Sequence, residues 1–132
     1  MRPLPPADLK APGWTIREGQ VLMKRNAHEP EIAGEILVAT RPDGRAFVQF
    51  SKNPFTLAIA QSTRKGWQVE QPTEKKFYSG HGKPPHRLIL LYLPRMMTGE
   101  PPPKGMTYEK VNDGYRVVNQ KNGASLEAYF TQ

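Results

Sequence analysis

The sequence contains no cysteine, which excludes disulfide bonds, thiolate metal sites and cysteine nucleophiles. It also lacks any run approaching the roughly 20 apolar residues that a helix needs to span a bilayer. No signal peptide and no internal repeat can be recognised in the chain. The protein is therefore expected either to be cytosolic or to begin after a targeting segment that has been removed.

Residues in the patterns that enzymes and metal sites require are also scarce. His28, His81 and His86 are the only histidines, and their spacing matches no common metal-ligand motif. No pair of carboxylates stands in an acid–base motif, and no serine lies in a G-x-S-x-G elbow. The glycine-containing stretch at residues 79–83 lacks the spacing of a phosphate-binding loop. The sequence predicts no enzymatic activity, no metal and no cofactor.

Positive charge is abundant, with 19 lysines and arginines against 12 acidic residues and a net charge of +7. Such a balance favours anionic partners. The charges are dispersed, however, and the nearest approach to a cluster is Arg64-Lys65 with Lys75-Lys76. No aromatic residues alternate with these basic residues as they do in single-strand binders. Nucleic acid is therefore not the expected partner.

The length of 132 residues suits one domain with a modest core. Four prolines among the first twelve residues indicate a proline-rich tether over residues 1–13. Residues 14–132 are then predicted to form a single β domain, and a monomer is expected.

Short stretches rich in apolar and β-branched residues are separated by turn signals through most of the chain, which indicates an antiparallel meander. Residues 55–60 alternate well, with Phe55, Leu57 and Ile59 on one face and small residues on the other. Small residues on a concave face either leave room for a ligand or allow a helix to pack closely. The dipeptides that mark hairpin tips are Asp43-Gly44, Asp113-Gly114 and Asn122-Gly123.

One segment, residues 88–97 (LILLYLPRMM), interrupts this pattern and is called the apolar segment below. Prolines at 84 and 85 suit a helix start, and Gly99 with Pro101 suits a helix stop. Pro94 would kink such a helix because it removes one backbone hydrogen bond. The sequence thus favours two short helical pieces between Pro85 and Thr98. A buried strand over residues 88–93 is the competing interpretation.

The apolar segment must be covered, since exposing its six large apolar residues would forfeit roughly 10 kcal/mol. In one interpretation it fills the open end of a curved sheet as ordinary core. In the other it forms a lid over a space that accepts an apolar guest. Met96 and Met97 suit both, because flexible thioethers fill core gaps and also adapt to varied ligands.

Three local features resemble a known family. An early strand with Gly34 precedes the aromatic strand Phe47–Phe50 and a strand of the form P-x-x-L-x-L at residues 54–59. Gly99 and Pro101 follow the apolar segment, and the stretch NDGYRVV then sets an Asp-Gly turn before an aromatic strand. In this order the features resemble the LolA/LolB superfamily of bacterial lipoprotein carriers and receptors.

The resemblance implies a mainly β fold with one or two short helices: a curved antiparallel sheet, or open (incomplete) β-barrel, covered by a proline-kinked apolar helix. It implies non-enzymatic binding of a lipid or a lipoprotein acyl chain, in lipoprotein transport or outer-membrane insertion. It also implies a location in the bacterial periplasm or at the periplasmic face of the outer membrane, with an envelope protein as a further partner.

The predicted ligand contacts come from the apolar segment and from the sheet. They are Leu88, Leu91, Tyr92, Met96 and Met97 in the segment, and Phe47, Phe50, Leu57 and Ile59 in the strands. The alternative function is a basic interaction domain that docks an acidic protein or a polyanion, with the helix serving only as core.

Overall fold

The structure is a computed structural model that describes residues 4–5 and 7–131. The described residues form nine antiparallel strands in one sheet, two 3₁₀ helices and one α-helix, α1. The strands are β1 Thr15–Lys24, β2 Ile32–Thr40, β3 Ala46–Lys52, β4 Phe55–Ser62, β5 Gly66–Gln71, β6 Lys76–His81, β7 Met106–Val111, β8 Gly114–Asn119 and β9 Ser125–Thr131. The 3₁₀ helices are Pro72–Glu74 and Ile89–Tyr92, and α1 is Leu93–Met97.

The sheet runs in the order β6-β5-β4-β3-β2-β1-β9-β8-β7. Two meanders, β1 to β6 and β7 to β9, meet where β1 pairs with β9 in a register that sets Val21 opposite Ala128. Strands β6 and β7 are the edges, so the sheet formed by the described residues is not closed. The predicted mainly β fold with an antiparallel meander is confirmed at this level.

The hairpin tips predicted from Asp-Gly and Asn-Gly pairs join consecutive strands as expected. Gly44 and Gly123 have φ angles of 92° and 75°, values that a residue without a Cβ adopts without strain. In the turn before β8 the positive φ, 51°, falls on Asn112. Asparagine adopts positive φ angles more readily than most residues. The turn therefore does not need Gly114 at its positive-φ position, and Gly114 begins β8 instead.

One face of the sheet, called the inner face, carries the core. Side chains alternate along each strand, so every second residue turns towards the apolar segment. The register brings these positions into rows across the sheet, such as Val38 opposite Val48. The largest fully buried side chains on the strands are Phe50, Leu126, Val21, Val38, Val48 and Val117.

The apolar segment crosses this inner face. Its 3₁₀ part, Ile89–Tyr92, packs on β4, β8 and β9, while α1 packs on β2, β3 and β8. Two short helical pieces thus occupy the predicted region, and the buried strand does not form. Pro94 lies in the first turn of α1, where the missing N–H costs no hydrogen bond. The helical structure begins at Ile89, later than expected, because Pro85 starts only an isolated turn in which its oxygen accepts from the Leu88 N–H.

The end of α1 follows the predicted stop signal. The Gly99 N–H donates to the Met96 oxygen at 3.0 Å, and the Glu100 N–H donates to the Arg95 oxygen at 2.9 Å. Gly99 itself has a φ of 90°. This arrangement satisfies carbonyl groups that the helix leaves unpaired, which is the usual role of a glycine just beyond a helix.

The proline-rich start contacts the opposite, outer face of the sheet. The Leu4 N–H donates to Gln68 Oε1 at 2.6 Å, and an Arg45 nitrogen donates to the Pro5 oxygen at 2.5 Å. The indole of Trp14 lies 5.4 Å from the Arg41 guanidinium carbon. Residues 1–3 and 6 of the predicted tether, and the last residue of the predicted domain, lie outside the described residues. No helix within 4–5 and 7–131 is both long enough and apolar enough to cross a bilayer.

Candidate functional site

A cleft of about 370 Å³ opens between the apolar segment and one end of the sheet. Its volume falls within the range of roughly 300–1,000 Å³ that small-molecule sites occupy. Residues of β1 to β6 form one wall, and the first residues of the apolar segment form the other. The apolar side chains that line it are Met23, Ile32, Phe50, Leu57, Ala58 and Val69 from the sheet, with Leu88, Ile89 and Leu90 opposite.

Small residues on the inner face of the sheet create the space of the cleft. Ala58 pairs directly with Phe50, and Ala60 pairs with Val69, so an alanine row separates larger neighbours on the inner face. Ala58 is 5 % exposed and lines the cleft. A larger side chain at this position would occupy the volume that a ligand would use.

A β-bulge places one further apolar side chain in the wall of the cleft. The pairing of β3 with β4 shifts between Phe50 and Ser51: Phe50 pairs with Ala58, whereas Ser51 pairs with Thr56. Leu57 is therefore the extra residue, and it lines the cleft together with its neighbour Ala58. Two successive residues can face one side because a bulge interrupts the strict alternation of the strand.

The mouth of the cleft is polar and carries charge. Its lining includes Arg25, Lys76 and Arg87 together with Glu74. Arg25 is tied to Glu29 by two hydrogen bonds, of 2.8 and 3.2 Å, and its third nitrogen lies 3.9 Å from Glu74. The remaining polar lining residues are Gln71, Thr73 and Tyr78.

The structure brings together only some of the predicted ligand contacts. Leu88, Phe50 and Leu57 line the cleft. Leu91 and Tyr92 point into the core, with 1 % and 2 % exposure. These two side chains support the roof of the cleft and do not face its space.

The other predicted contacts lie away from the cleft. Met96 and Met97 pack on the core from the far end of the apolar segment. Phe47 pairs with Ala39 and Gln61, and Ile59 pairs with Gln49, so both belong to the outer face. Residues three apart on a regular strand face opposite sides, so Phe47 cannot share a face with Phe50. In the predicted trio of residues 55, 57 and 59, the bulge separates Leu57 from Ile59.

The charged mouth was missed by reasoning from sequence. Arg25, Lys76 and Arg87 come from three separate parts of the chain, and only the folded sheet with the apolar segment across it brings them to one opening. The pair Lys75-Lys76 is a visible basic cluster in the sequence, but nothing local connects it to residue 87. Ala58 could have been found from sequence, because it alternates with larger residues along residues 55–60. That alternation indicates that one face of the strand carries only small side chains.

Tyr92 anchors the apolar segment above the cleft. Its hydroxyl donates to the Pro84 oxygen, and its ring meets the His86 ring edge-on at a centroid distance of 5.6 Å. Burial raises the pKa of the Tyr92 hydroxyl, while the nearby Arg95 opposes that shift. The side chain therefore fixes the chain that leads into the segment, and it does so as a neutral phenol.

Tyr108 on β7 has a buried hydroxyl with no hydrogen-bond partner among the described residues. Burial raises the pKa of this hydroxyl to about 12, from an ordinary value of 10.0. An unfolded tyrosine ionises near 10.0, whereas the folded one holds its proton to about 12. The free energy of unfolding is therefore expected to fall as the pH rises between these values, with the contribution intact below pH 10.

Replacing Tyr108 by Phe tests this expectation. The variant is expected to match or slightly exceed the native stability at pH 8, because an unpaired buried hydroxyl contributes nothing there. From pH 8 to 11 the native protein should lose roughly 1 kcal/mol or less relative to the variant, since the half-buried site is partly screened by solvent. Urea unfolding at both pH values measures the difference. Parallel losses in the two proteins would contradict the assignment.

Across the described ranges, no group of three or more histidine, cysteine, aspartate or glutamate residues is placed to hold a metal ion. No family model and no curated protein matches the chain. The resemblance in the sequence therefore stays a prediction.

Proposed function

We propose that the protein binds an apolar ligand, a lipid or a lipoprotein acyl chain, in the cleft beneath the apolar segment, without catalysing a reaction. The sheet would act as an incomplete barrel and the proline-containing helical segment as its lid. The protein would serve lipoprotein transport or outer-membrane insertion, from the periplasm or the periplasmic face of the outer membrane. An envelope protein is the second partner that this role requires.

The observation that carries the proposal is an open cleft of about 370 Å³ whose walls are mainly aliphatic and aromatic. Concave, mainly apolar pockets with a few polar groups at one end are typical of small-molecule sites. Moving eight methylene groups from water into such a site would release roughly 6 kcal/mol before the costs of association. Apolar transfer alone can therefore drive binding and release.

The carrier role and the location are supported by the sequence resemblance and not by the cleft itself. Gly99, which the resemblance matches to the end of a lid helix, does end α1. Leu57, which it matches to a sheet position, lines the cleft. Both placements suit a lid-and-sheet binding site.

Replacing Ala58 by Trp tests the proposed site. The indole would fill much of the cleft, so the affinity for a neutral fluorescent probe, N-phenyl-1-naphthylamine, is expected to fall at least about tenfold, or roughly 1.4 kcal/mol. Fluorescence titration gives the affinity, and circular dichroism with thermal unfolding confirms that the variant is folded. Leu57→Trp, at the less buried bulge, provides a second obstruction of the same cleft.

The matched control is Ala33→Trp, since Ala33 is exposed and lies on the outer face of the same sheet. This variant should bind the probe as the native protein does. Equal affinity in folded Ala58→Trp and Leu57→Trp would show that the cleft is not the binding site. Binding of a polyanion that weakens steeply with salt, with no binding of the probe, would favour the alternative of a basic interaction domain.

A further inference from the structure

Two cations, Lys76 and Arg87, lie at the mouth of the cleft. Neither side chain takes part in an ion pair or a side-chain hydrogen bond with the residues that the structure describes. Both residues are exposed and both line the cleft. An anion placed at the mouth would therefore meet charges that are not already neutralised.

Tyr78 is a neighbour of both cations. The guanidinium carbon of Arg87 lies 5.6 Å from the centroid of the Tyr78 ring, a distance suited to a cation–π contact. Lys76 precedes Tyr78 by two residues on β6, so both side chains leave the same face of the strand. One aromatic ring thus has a lysine beside it along the strand and an arginine above it.

The third cation, Arg25, is held in place. Its double hydrogen bond to Glu29 fixes the guanidinium, and its free nitrogen is 3.9 Å from Glu74, too far for a hydrogen bond. Glu74 is the one carboxylate in the lining of the cleft, against three cations. The mouth keeps an excess of positive charge even after Glu29 is counted.

Apolar and cationic groups therefore meet at a single opening. Phe50, Ala58 and Val69 lie inside, and Lys76 and Arg87 lie at the mouth. A neutral apolar ligand would have no group that pairs with these cations. An amphiphile with an anionic head would use the walls and the mouth together, because the head would remain in contact with water while the chain was buried.

We propose that the ligand is a single-chain anionic amphiphile whose carboxylate or phosphate head binds Lys76 and Arg87. This inference rests on the proposed function, because it places the acyl chain in the same cleft. A cleft of about 370 Å³ lies in the size range of small-molecule sites and has room for a single alkyl chain.

Displacement of N-phenyl-1-naphthylamine by three C12 ligands tests the proposal. Dodecanoate and dodecyl phosphate carry the two anionic heads, and 1-dodecanol is their neutral counterpart. Below their micelle-forming concentrations, at least one anion is expected to bind the native protein about tenfold more tightly than the alcohol, or roughly 1.4 kcal/mol. The preference should shrink as salt is added, because the cations are exposed. The tighter of the two anions identifies the head group as carboxylate or phosphate.

The double variant Lys76→Gln/Arg87→Gln should lose this preference and bind 1-dodecanol as before. Its control, Arg64→Gln/Lys121→Gln, removes the same two charges from exposed turns that do not line the cleft, and should keep the preference. Equal loss in both double variants would show that the effect comes from net charge, which overturns the head-group site.

The comparison of ligands tests the head-group site, and the comparison of tryptophan variants tests the cleft itself. If all three ligands displace the probe with equal affinity, the head-group site is wrong and the apolar cleft stands. If the probe binds as well to Ala58→Trp and Leu57→Trp as to the native protein, the cleft itself is wrong. Because the first comparison needs no variant, a failure of the double variant to fold would not rescue the proposal.

Discussion

Replacing Leu91 by Ala is expected to lower the free energy of unfolding by about 2–5 kcal/mol, the usual cost of truncating a fully buried leucine. Leu91 is 1 % exposed and lies in the 3₁₀ helix at the centre of the inner face. Truncation would leave a cavity among side chains that the strands hold in place. Urea unfolding followed by tryptophan fluorescence measures the loss.

Leu88→Ala is the matched control, because Leu88 has the same side chain but lies half-buried at the cleft. It should cost clearly less stability than Leu91→Ala. If the two variants lost equal stability, the apolar segment would not pack as described. Leu91→Glu would be a poor test of ligand binding, since a buried unpaired carboxylate would unfold the protein before the site could be probed.

Replacing Gly19 by Ala is expected to lower the free energy of unfolding by roughly 3 kcal/mol, near the upper end for an over-packed site. A Cβ at residue 19 would lie 1.9 Å from the Tyr129 oxygen and 2.7 Å from the Phe130 Cα. Both are backbone atoms, so no side-chain movement can relieve the clash. Strands β1 and β9 would have to separate at the one place where the two meanders meet.

Gly82→Ala is a comparison in which the new Cβ meets no other atom. A Cβ at residue 82 would have no atom within 4 Å, but φ is +71°, so the variant carries only the conformational strain of about 1–2 kcal/mol. Urea unfolding compares the variants, and amide hydrogen exchange should show faster exchange along β9 in Gly19→Ala alone. Equal losses without a change in β9 would indicate that the β1–β9 contact is looser than described.

Local turn chemistry made much of the sheet predictable. Asp43-Gly44 and Asn122-Gly123 mark hairpins because few other residues adopt their backbone angles, and both occur where expected. Gly99 likewise ends α1 by a mechanism that is local to its sequence. Features set by three or four neighbouring residues can be inferred before any tertiary contact is known.

The cleft depends on information that no local pattern contains. The bulge at Leu57 follows from how β3 and β4 align, and it cancels the alternation from which Ile59 was assigned to the cleft. Phe47 was assigned to the site together with Phe50, although its position on the strand sets it on the outer face. Lys76 and Arg87 border the same opening only after the sheet has formed and the apolar segment lies across it.

Because β6 and β7 end the sheet, each has one edge whose backbone groups pair with no other described strand. An exposed edge strand can pair with a strand from another molecule, and repeated pairing of this kind leads to fibrous self-association. Lys76 on β6 and Lys110 on β7 place a positive charge on each edge strand. The same lysine that borders the cleft therefore also discourages one copy of the chain from extending the sheet of the next, because like charges would be brought together.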